Sequence, residues 1–77
     1  MLIDLIQMQP KESGVVAEIQ GSCGLARRIQ SMGVRPGKKI TKLSSHFSRG
    51  PQTIKIGNMR IAVGFGMAKR VFVQVER

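Results

Sequence analysis

Hydrophobic and polar positions alternate over several short stretches of the chain, and this pattern predicts a protein built mainly of β-strands. The first stretch, Val15–Gln20, is rich in β-branched residues and is bounded by glycines. One apolar face is formed by alternate residues of this stretch, Val15, Ala17 and Ile19. Val16 is apolar as well, which either a β-bulge or a strand covered on both sides would explain.

One amphipathic helix is predicted directly after this strand. The i, i+4, i+7 spacing of a single helix face is kept by three apolar residues, Leu25, Ile29 and Met32. Ser22 is a candidate N-cap, and Gly33 stands where a helix commonly ends in a left-handed residue. Pro36 and the following glycine turn the chain into a second predicted strand, at 38–43.

The clearest alternation is TIKIGNMRIAV, residues 53–63, where two runs flank Gly57-Asn58. A two-residue loop that begins with glycine favours a type II′ hairpin, which would pair Ile56 with Met59, Lys55 with Arg60, and Ile54 with Ile61. We expect one buried face made of Ile54, Ile56, Met59, Ile61 and Val63. Lys55 and Arg60 would oppose each other on the outer face. There they either form a functional patch or are screened by solvent.

The chain ends in one predicted helical turn, GFGMAKR, and a strand, VFVQVER. The inward positions of this strand are Val71, Val73 and Val75. Phe72 either contacts a partner or packs against the N-terminal segment. The pattern therefore predicts an all-β domain over 1–77, with five strands and one short helix after the first strand. Curling into a small closed barrel would best protect the edges of such a sheet.

Composition narrows the setting and the class of partner. Thirteen Lys and Arg residues against four Asp and Glu residues give a formal net charge of +9, which attracts polyanions and acidic protein surfaces. The single Cys excludes an internal disulfide and fits a reducing compartment. No apolar run is long enough to enter and span a bilayer, and the N-terminus does not resemble a signal peptide. We expect a cytoplasmic protein.

The residues that carry chemistry are few. The one His has no evident Ser or Cys companion, and no phosphate-binding or dinucleotide motif is present, so neither an enzyme nor a cofactor is predicted. Cys23 and His46 are far apart in sequence, and neither has the spacing of metal ligands. No metal site is therefore predicted within one chain, although a weak or intersubunit site would draw on these two residues.

Three stretches, in this order, resemble the FeoA family, the small ferrous-iron transport protein A domain. LIDLIQMQPKESGVVAEIQG is similar to the family's opening segment and first strand. RRIQSMGVRPGKKITKL is similar to its R-hydrophobic-x-x-hydrophobic-G-hydrophobic-x-P-G core. RGPQTIKIGNMRIAVGFGMAKRVFV is similar to its hairpin, turn and final valine strand, although Gly64–Met67 make this turn more apolar than is usual in the family.

The resemblance implies an SH3-like β-barrel with the helix inserted after the first strand, and a role in ferrous-iron uptake. It also implies a partner, a ferrous-iron membrane transporter with a cytoplasmic G-protein domain. The same fold occurs as the C-terminal domain of iron-dependent repressors. No helix-turn-helix is recognisable in this sequence, so we do not expect it to act as a complete repressor.

Two functions compete at this point. An interaction module would bind the cytoplasmic part of the transporter through cations that speed the encounter and apolar anchors that hold the complex. The expected charged contacts are Arg27, Arg28, Arg35, Lys38, Lys39 and Lys42, and the expected apolar contacts are Phe47, Phe65, Met67 and Phe72. The alternative is a small-barrel nucleic-acid binder that uses its basic face on phosphates. Three Phe, no Trp and no Tyr leave little for stacking on bases.

Overall fold

The chain forms a six-stranded antiparallel sheet with one helix and one short helical turn. The computed structural model describes residues 1–45 and 50–76. The elements within these ranges are β1 (Leu2–Asp4), β2 (Ser13–Ile19), α1 (Cys23–Ser31), β3 (Lys39–Ser45), β4 (Gln52–Ile56), β5 (Met59–Val63), α2 (Phe65–Ala68) and β6 (Val71–Gln74). The strand order across the sheet is β1-β6-β2-β3-β4-β5. The mostly-β fold, with the helix after the first predicted strand, is thus confirmed.

The five predicted strands are β2 to β6, and β1 is additional. β1 pairs with β6, so that Ile3 lies opposite Val73. Just before β1, the N-terminal amine of Met1 donates a hydrogen bond to the Val75 carbonyl at 2.8 Å. The Val75 N–H donates to the Met1 carbonyl, also at 2.8 Å. Three residues are too few to show an alternation, and for this reason the sequence did not predict β1. Among the residues described, the hydrogen-bonded strand order ends at β1 and β5.

A β-bulge explains the broken alternation of the first predicted strand. The register between β2 and β6 shifts between Val16 and Glu18. Val16 is 1% exposed, whereas Val15 is 43% exposed and Ala17 is exposed too. The predicted inward placement of Val15 and Ala17 was therefore wrong, because the bulge changes which residues face the core.

Both predicted ends of α1 are confirmed. The Ser22 hydroxyl accepts a hydrogen bond from the Leu25 N–H at 3.2 Å, and the Gly33 N–H donates to the Gln30 carbonyl at 3.0 Å. Ile29 is fully buried, and its two predicted companions on the apolar face are half-buried against the core. Local capping and one apolar face therefore account for this helix.

The hairpin register is confirmed at all three predicted pairs. Gly57 has a φ of 59° and Asn58 has a negative φ, as a type II′ turn requires. Burial decreases toward the tip: Ile54 and Val63 are buried, Ile56 and Ile61 are half-buried, and Met59 is 53% exposed. Met59 was therefore wrongly predicted to be buried, because the tip of the hairpin extends past the core.

The core lies on the inner face of the sheet. The last strand contributes three buried side chains as predicted, Val71, Val73 and Val75. The segment between β1 and β2 crosses this face and buries Leu5 and Met8, at 0% and 3% exposure. The segment has no strand of its own here, so its backbone polar groups need other partners.

Lys42 supplies those partners from inside the core. Its ammonium donates to the Leu5 carbonyl at 2.6 Å and to the Met8 carbonyl at 3.2 Å. Its backbone carbonyl accepts from the Lys11 N–H at 2.7 Å, and its N–H donates to the Glu12 carbonyl at 2.8 Å. One residue of β3 thereby bonds to four backbone groups of the segment that leads into β2.

The inward position of Lys42 corrects its prediction as an exposed cation. Alternation along β3 places Ile40 and Lys42 on the same inner face, and both are fully buried. Desolvation lowers the pKa of Lys42 from 10.5, and attraction to Asp4 and Glu12 opposes this shift. The buried charge is thus held by two carbonyl groups and two nearby carboxylates.

The corner between α1 and β3 is a type II turn. The Lys38 N–H donates to the Arg35 carbonyl at 3.1 Å across Pro36 and Gly37, and Gly37 has a φ of 92°. Proline in the second position and a left-handed glycine in the third are typical of this turn. Gly37 N–H donates to the Val16 carbonyl at 2.8 Å, and Val16 N–H donates to the Lys38 carbonyl at 2.9 Å. These two bonds fix the turn to β2.

We predict that Lys42→Met lowers the free energy of unfolding by about 1–3 kcal/mol, because two buried carbonyls lose their donor. Removal of a desolvated ammonium offsets part of that cost. Urea unfolding at neutral pH, followed by circular dichroism, measures the change. Lys39→Met on the same strand is the control, since this exposed side chain should change stability by less than about 0.5 kcal/mol. Equal stability of Lys42→Met and the unsubstituted protein would contradict the anchoring role.

Gly37→Ala should destabilise the protein by about 1 kcal/mol, although no atom lies within 4 Å of the added methyl group. The cost comes from the positive φ alone. Gly24→Ala is the matched control, because Gly24 lies in α1 and its new Cβ would stand 4.0 Å from the Ser22 Oγ. We expect Gly24→Ala to stabilise the protein by about 0.5 kcal/mol. Thermal unfolding measures the change in stability of each variant. A similar loss of stability in both variants would contradict the turn assignment.

Candidate functional site

The type II turn brings exposed cations together beside the sheet. Its first and fourth residues, Arg35 and Lys38, have Cα atoms within about 7 Å of each other, and Lys39 follows as the first residue of β3. We call Arg35, Lys38 and Lys39 the basic corner. All three are exposed. Among the residues that the structure describes, none of the three forms an ion pair with a carboxylate.

Arg35 also closes the end of the helix. Its Nε donates to the Gln30 carbonyl at 3.4 Å, near the C-terminus of α1. A cation at this position is favoured by the helix dipole, and it shares the Gln30 carbonyl with the Gly33 N–H. The helix end therefore helps to hold the guanidinium group in place.

A groove of about 350 Å³ adjoins the basic corner. It is lined by residues of β2, β3 and β6 and of their flanks, Glu12, Ser13, Gly14, Val15, Lys39, Gln74 and Glu76. Val15 lies opposite Lys39 on one side and opposite Gln74 on the other. An exposed apolar side chain thus lies between an ammonium group and an amide. A partner can bury one apolar contact here and pair charges around it.

Five of the six predicted cationic contacts are exposed, and the structure brings three of them together as the basic corner. Arg27 and Arg28 lie on α1, with Arg28 in the last turn of the helix. Lys42 is the exception, because its side chain is enclosed in the core. The basic corner is therefore the compact part of the predicted charged surface.

The predicted apolar contacts lie on other elements. Phe65 begins α2 and is half-buried, with the Lys69 ammonium 5.8 Å from its ring centroid. Met67 is half-buried against the core. Phe72 is half-buried on β6, with Asp4 and Glu18 as its cross-strand neighbours, so it is flanked by carboxylates and not by cations. Phe47 lies outside the described residues.

Val15 is an exposed candidate contact that the sequence did not predict. The adjacent apolar pair Val15-Val16 was the available signal, since only one of two neighbouring strand residues can face the core. The four carboxylates of the chain share a region as well: Asp4, Glu12, Glu18 and Glu76 all belong to or flank β1, β2 or β6. The acidic side of the sheet thus adjoins the basic corner at the groove.

A metal centre is not evident in the described ranges. Residues 1–45 and 50–76 contain no group of three or more His, Cys, Asp and Glu side chains that could hold a metal ion. Cys23 is exposed at the start of α1, and His46 lies outside these ranges. No helix in the same ranges is long and apolar enough to cross a membrane.

Comparison with solved structures identifies similar folds. An iron uptake regulatory protein (FeoA) superposes with a TM-score of 0.86 at 38% identity, over 96% of each chain. A zinc complex of FeoA from Stenotrophomonas maltophilia, described as a procaryotic SH3 domain protein, gives 0.79 at 25% identity over 94% of this chain and 89% of that one. A manganese-dependent transcriptional repressor gives 0.87 at 18% identity, and 42% of its length is covered. The SH3-like fold is thereby confirmed.

Sequence comparison gives the family. The chain is 32% identical over 63 residues to a Methanocaldococcus jannaschii protein provisionally named Fe(2+) transport protein A, with 82% of this chain and 74% of that protein covered. Residues 3–75 match the model of the FeoA domain. The predicted resemblance is therefore confirmed, and this chain belongs to the FeoA family, a family of ferrous-iron transport accessory proteins.

Proposed function

We propose that this protein is a non-enzymatic cytoplasmic accessory protein that binds the cytoplasmic G-protein region of a ferrous-iron transporter. The basic corner and the adjoining groove form the contact surface. Family membership supports the transport role, and the geometry of the site supports a binding surface over a reaction centre.

The observation that carries this proposal is the fixed type II turn. Hydrogen bonds of 2.8 and 2.9 Å to Val16 tie the turn to β2, and the Arg35 guanidinium is tied to the end of α1. A surface that is already ordered loses less conformational entropy when a partner binds. The backbone that carries the three cations is thus fixed to the sheet and does not form a free loop.

Charge and apolar contact have separate parts in this proposal. Exposed cations on a protein of net charge +9 steer an acidic partner surface toward the basic corner. Val15 slows dissociation once the partner covers it, because buried apolar anchors hold complexes together. Arg27 and Arg28 extend the basic surface along α1. Phe65, Met67 and Phe72 would join the interface only if it also reaches α2 and β6.

We predict that Lys39→Glu slows association with the transporter's G-protein region by about tenfold and changes dissociation little. Val15→Ser should instead speed dissociation, because it removes the apolar anchor. Surface plasmon resonance at low and physiological salt gives both rate constants. Arg70→Glu is the control of equal charge change, at an exposed site after α2, and Phe65→Ala tests whether α2 takes part.

The nucleic-acid alternative is tested in the same experiment. A mixed-sequence oligonucleotide should bind only at low salt, because phosphate contacts weaken steeply as salt rises. Oligonucleotide binding at physiological salt, with no binding of the G-protein region, would contradict the proposed function. Equal kinetics for Lys39→Glu and Arg70→Glu would contradict the site assignment alone.

A further inference from the structure

A second interaction surface lies at the edge of the sheet formed by β5. We propose that the free edge of β5 docks an extended acidic segment of another protein as an additional β-strand. The proposal does not depend on the function proposed above, since the basic corner lies on the α1–β3 turn and this surface lies on the last strand of the sheet.

The backbone of β5 presents unused hydrogen-bonding groups. The strand is the last in the sheet order, and in the described part of the chain no backbone hydrogen bond joins it to any element except β4. In a two-residue hairpin the flanking pair, Ile56 and Met59, is hydrogen-bonded, and such pairs recur at every second residue. The N–H and C=O groups of Arg60 and Ala62 therefore point away from β4, where a strand could pair with them.

The side chains beside this edge specify the class of segment. Thr41, Lys55 and Arg60 form one row across the outer face, and both cations are exposed. The carboxylates of the chain lie on or beside β1, β2 and β6, at the opposite end of the strand order. Two like charges directly opposite each other are unfavourable until an anion joins them. An acidic residue on an added strand would lie opposite Arg60 and within reach of Lys55.

The inner side of the same edge is apolar and incompletely covered. Met59 is 53% exposed, and Ile61 is half-buried although both share the inner face with the core residues of β4. An added strand alternates its side chains between the two faces. The segment that fits has acidic residues on its outer face and apolar residues on its inner face.

Charge favours an acidic segment over a second copy of the protein as the partner of the β5 edge. Antiparallel pairing of two β5 strands about Ile61 would place Arg60 of one copy diagonal to its counterpart, with the two Lys55 side chains close by. Each copy also carries a net charge of +9. An acidic segment removes the repulsion that a second copy would increase, and main-chain pairing of this kind is an established mode of peptide recognition.

The test uses a fluorescein-labelled, end-capped peptide, GEVEIEG, with GKVKIKG as the control of reversed charge. We expect saturable anisotropy changes at physiological salt for the acidic peptide only. Arg60→Glu and Ala62→Pro should each weaken its binding by about tenfold or more, since proline removes the outward N–H and is tolerated at a strand edge. Arg70→Glu, which lies outside β5, should weaken it less than about twofold.

Amide hydrogen exchange by NMR makes the test independent of whether Ala62→Pro folds. Saturating acidic peptide should slow exchange at the Arg60 and Ala62 amides by about tenfold or more, because both become hydrogen-bonded. Unchanged exchange there, equal binding of both peptides, or no binding of the acidic peptide would each overturn the proposal. Protection that rises with protein concentration in the absence of peptide would overturn it in favour of a second copy.

Discussion

The buried ammonium of Lys42 is the interaction on which the rest of the structure depends. A lysine in a protein interior is costly unless its donors are satisfied. Here the Leu5 and Met8 carbonyls accept from it at 2.6 and 3.2 Å, while the backbone of the same residue pairs with Lys11 and Glu12. The segment between β1 and β2 has no strand structure, and these bonds give its backbone fixed partners. Its side chains Leu5 and Met8 then cover the core.

This anchor also adjoins the proposed contact surface. The segment held by Lys42 ends at Glu12, which lines the groove, and β2 begins at once with Ser13. On the outer side of β3, three residues before Lys42, Lys39 stands between the groove and the basic corner. Lys39 and Lys42 are successive cations of one strand, but their side chains lie on opposite faces. Because side chains alternate along a strand, Lys39 faces solvent and Lys42 faces the core. Charge of the same sign contributes to stability on the inner face and to the proposed contact surface on the outer face.

Local rules made much of the fold predictable. The helix follows from the Ser22 cap and the Gly33 terminator, and the hairpin register follows from Gly57 in a two-residue loop. What the sequence did not reveal depends on residues far apart in the chain. The burial of Lys42 needs carbonyls about thirty-five residues away, and the exposure of Val15 follows from a bulge against β6. The three residues of β1 acquire strand structure only through β6. The basic corner was predictable as a set of cations, whereas its groove was not.

The central claim is that the basic corner and its groove contact the transporter's G-protein region. An NMR titration of the ¹⁵N-labelled protein with that unlabelled region tests it most directly, since it reports on every backbone amide at once. The claim predicts that perturbations concentrate at the amides of Val15, Gly37, Lys38 and Lys39, on the surface described above. Perturbations confined to α2 and β6, with these four amides unmoved at saturation, would contradict it.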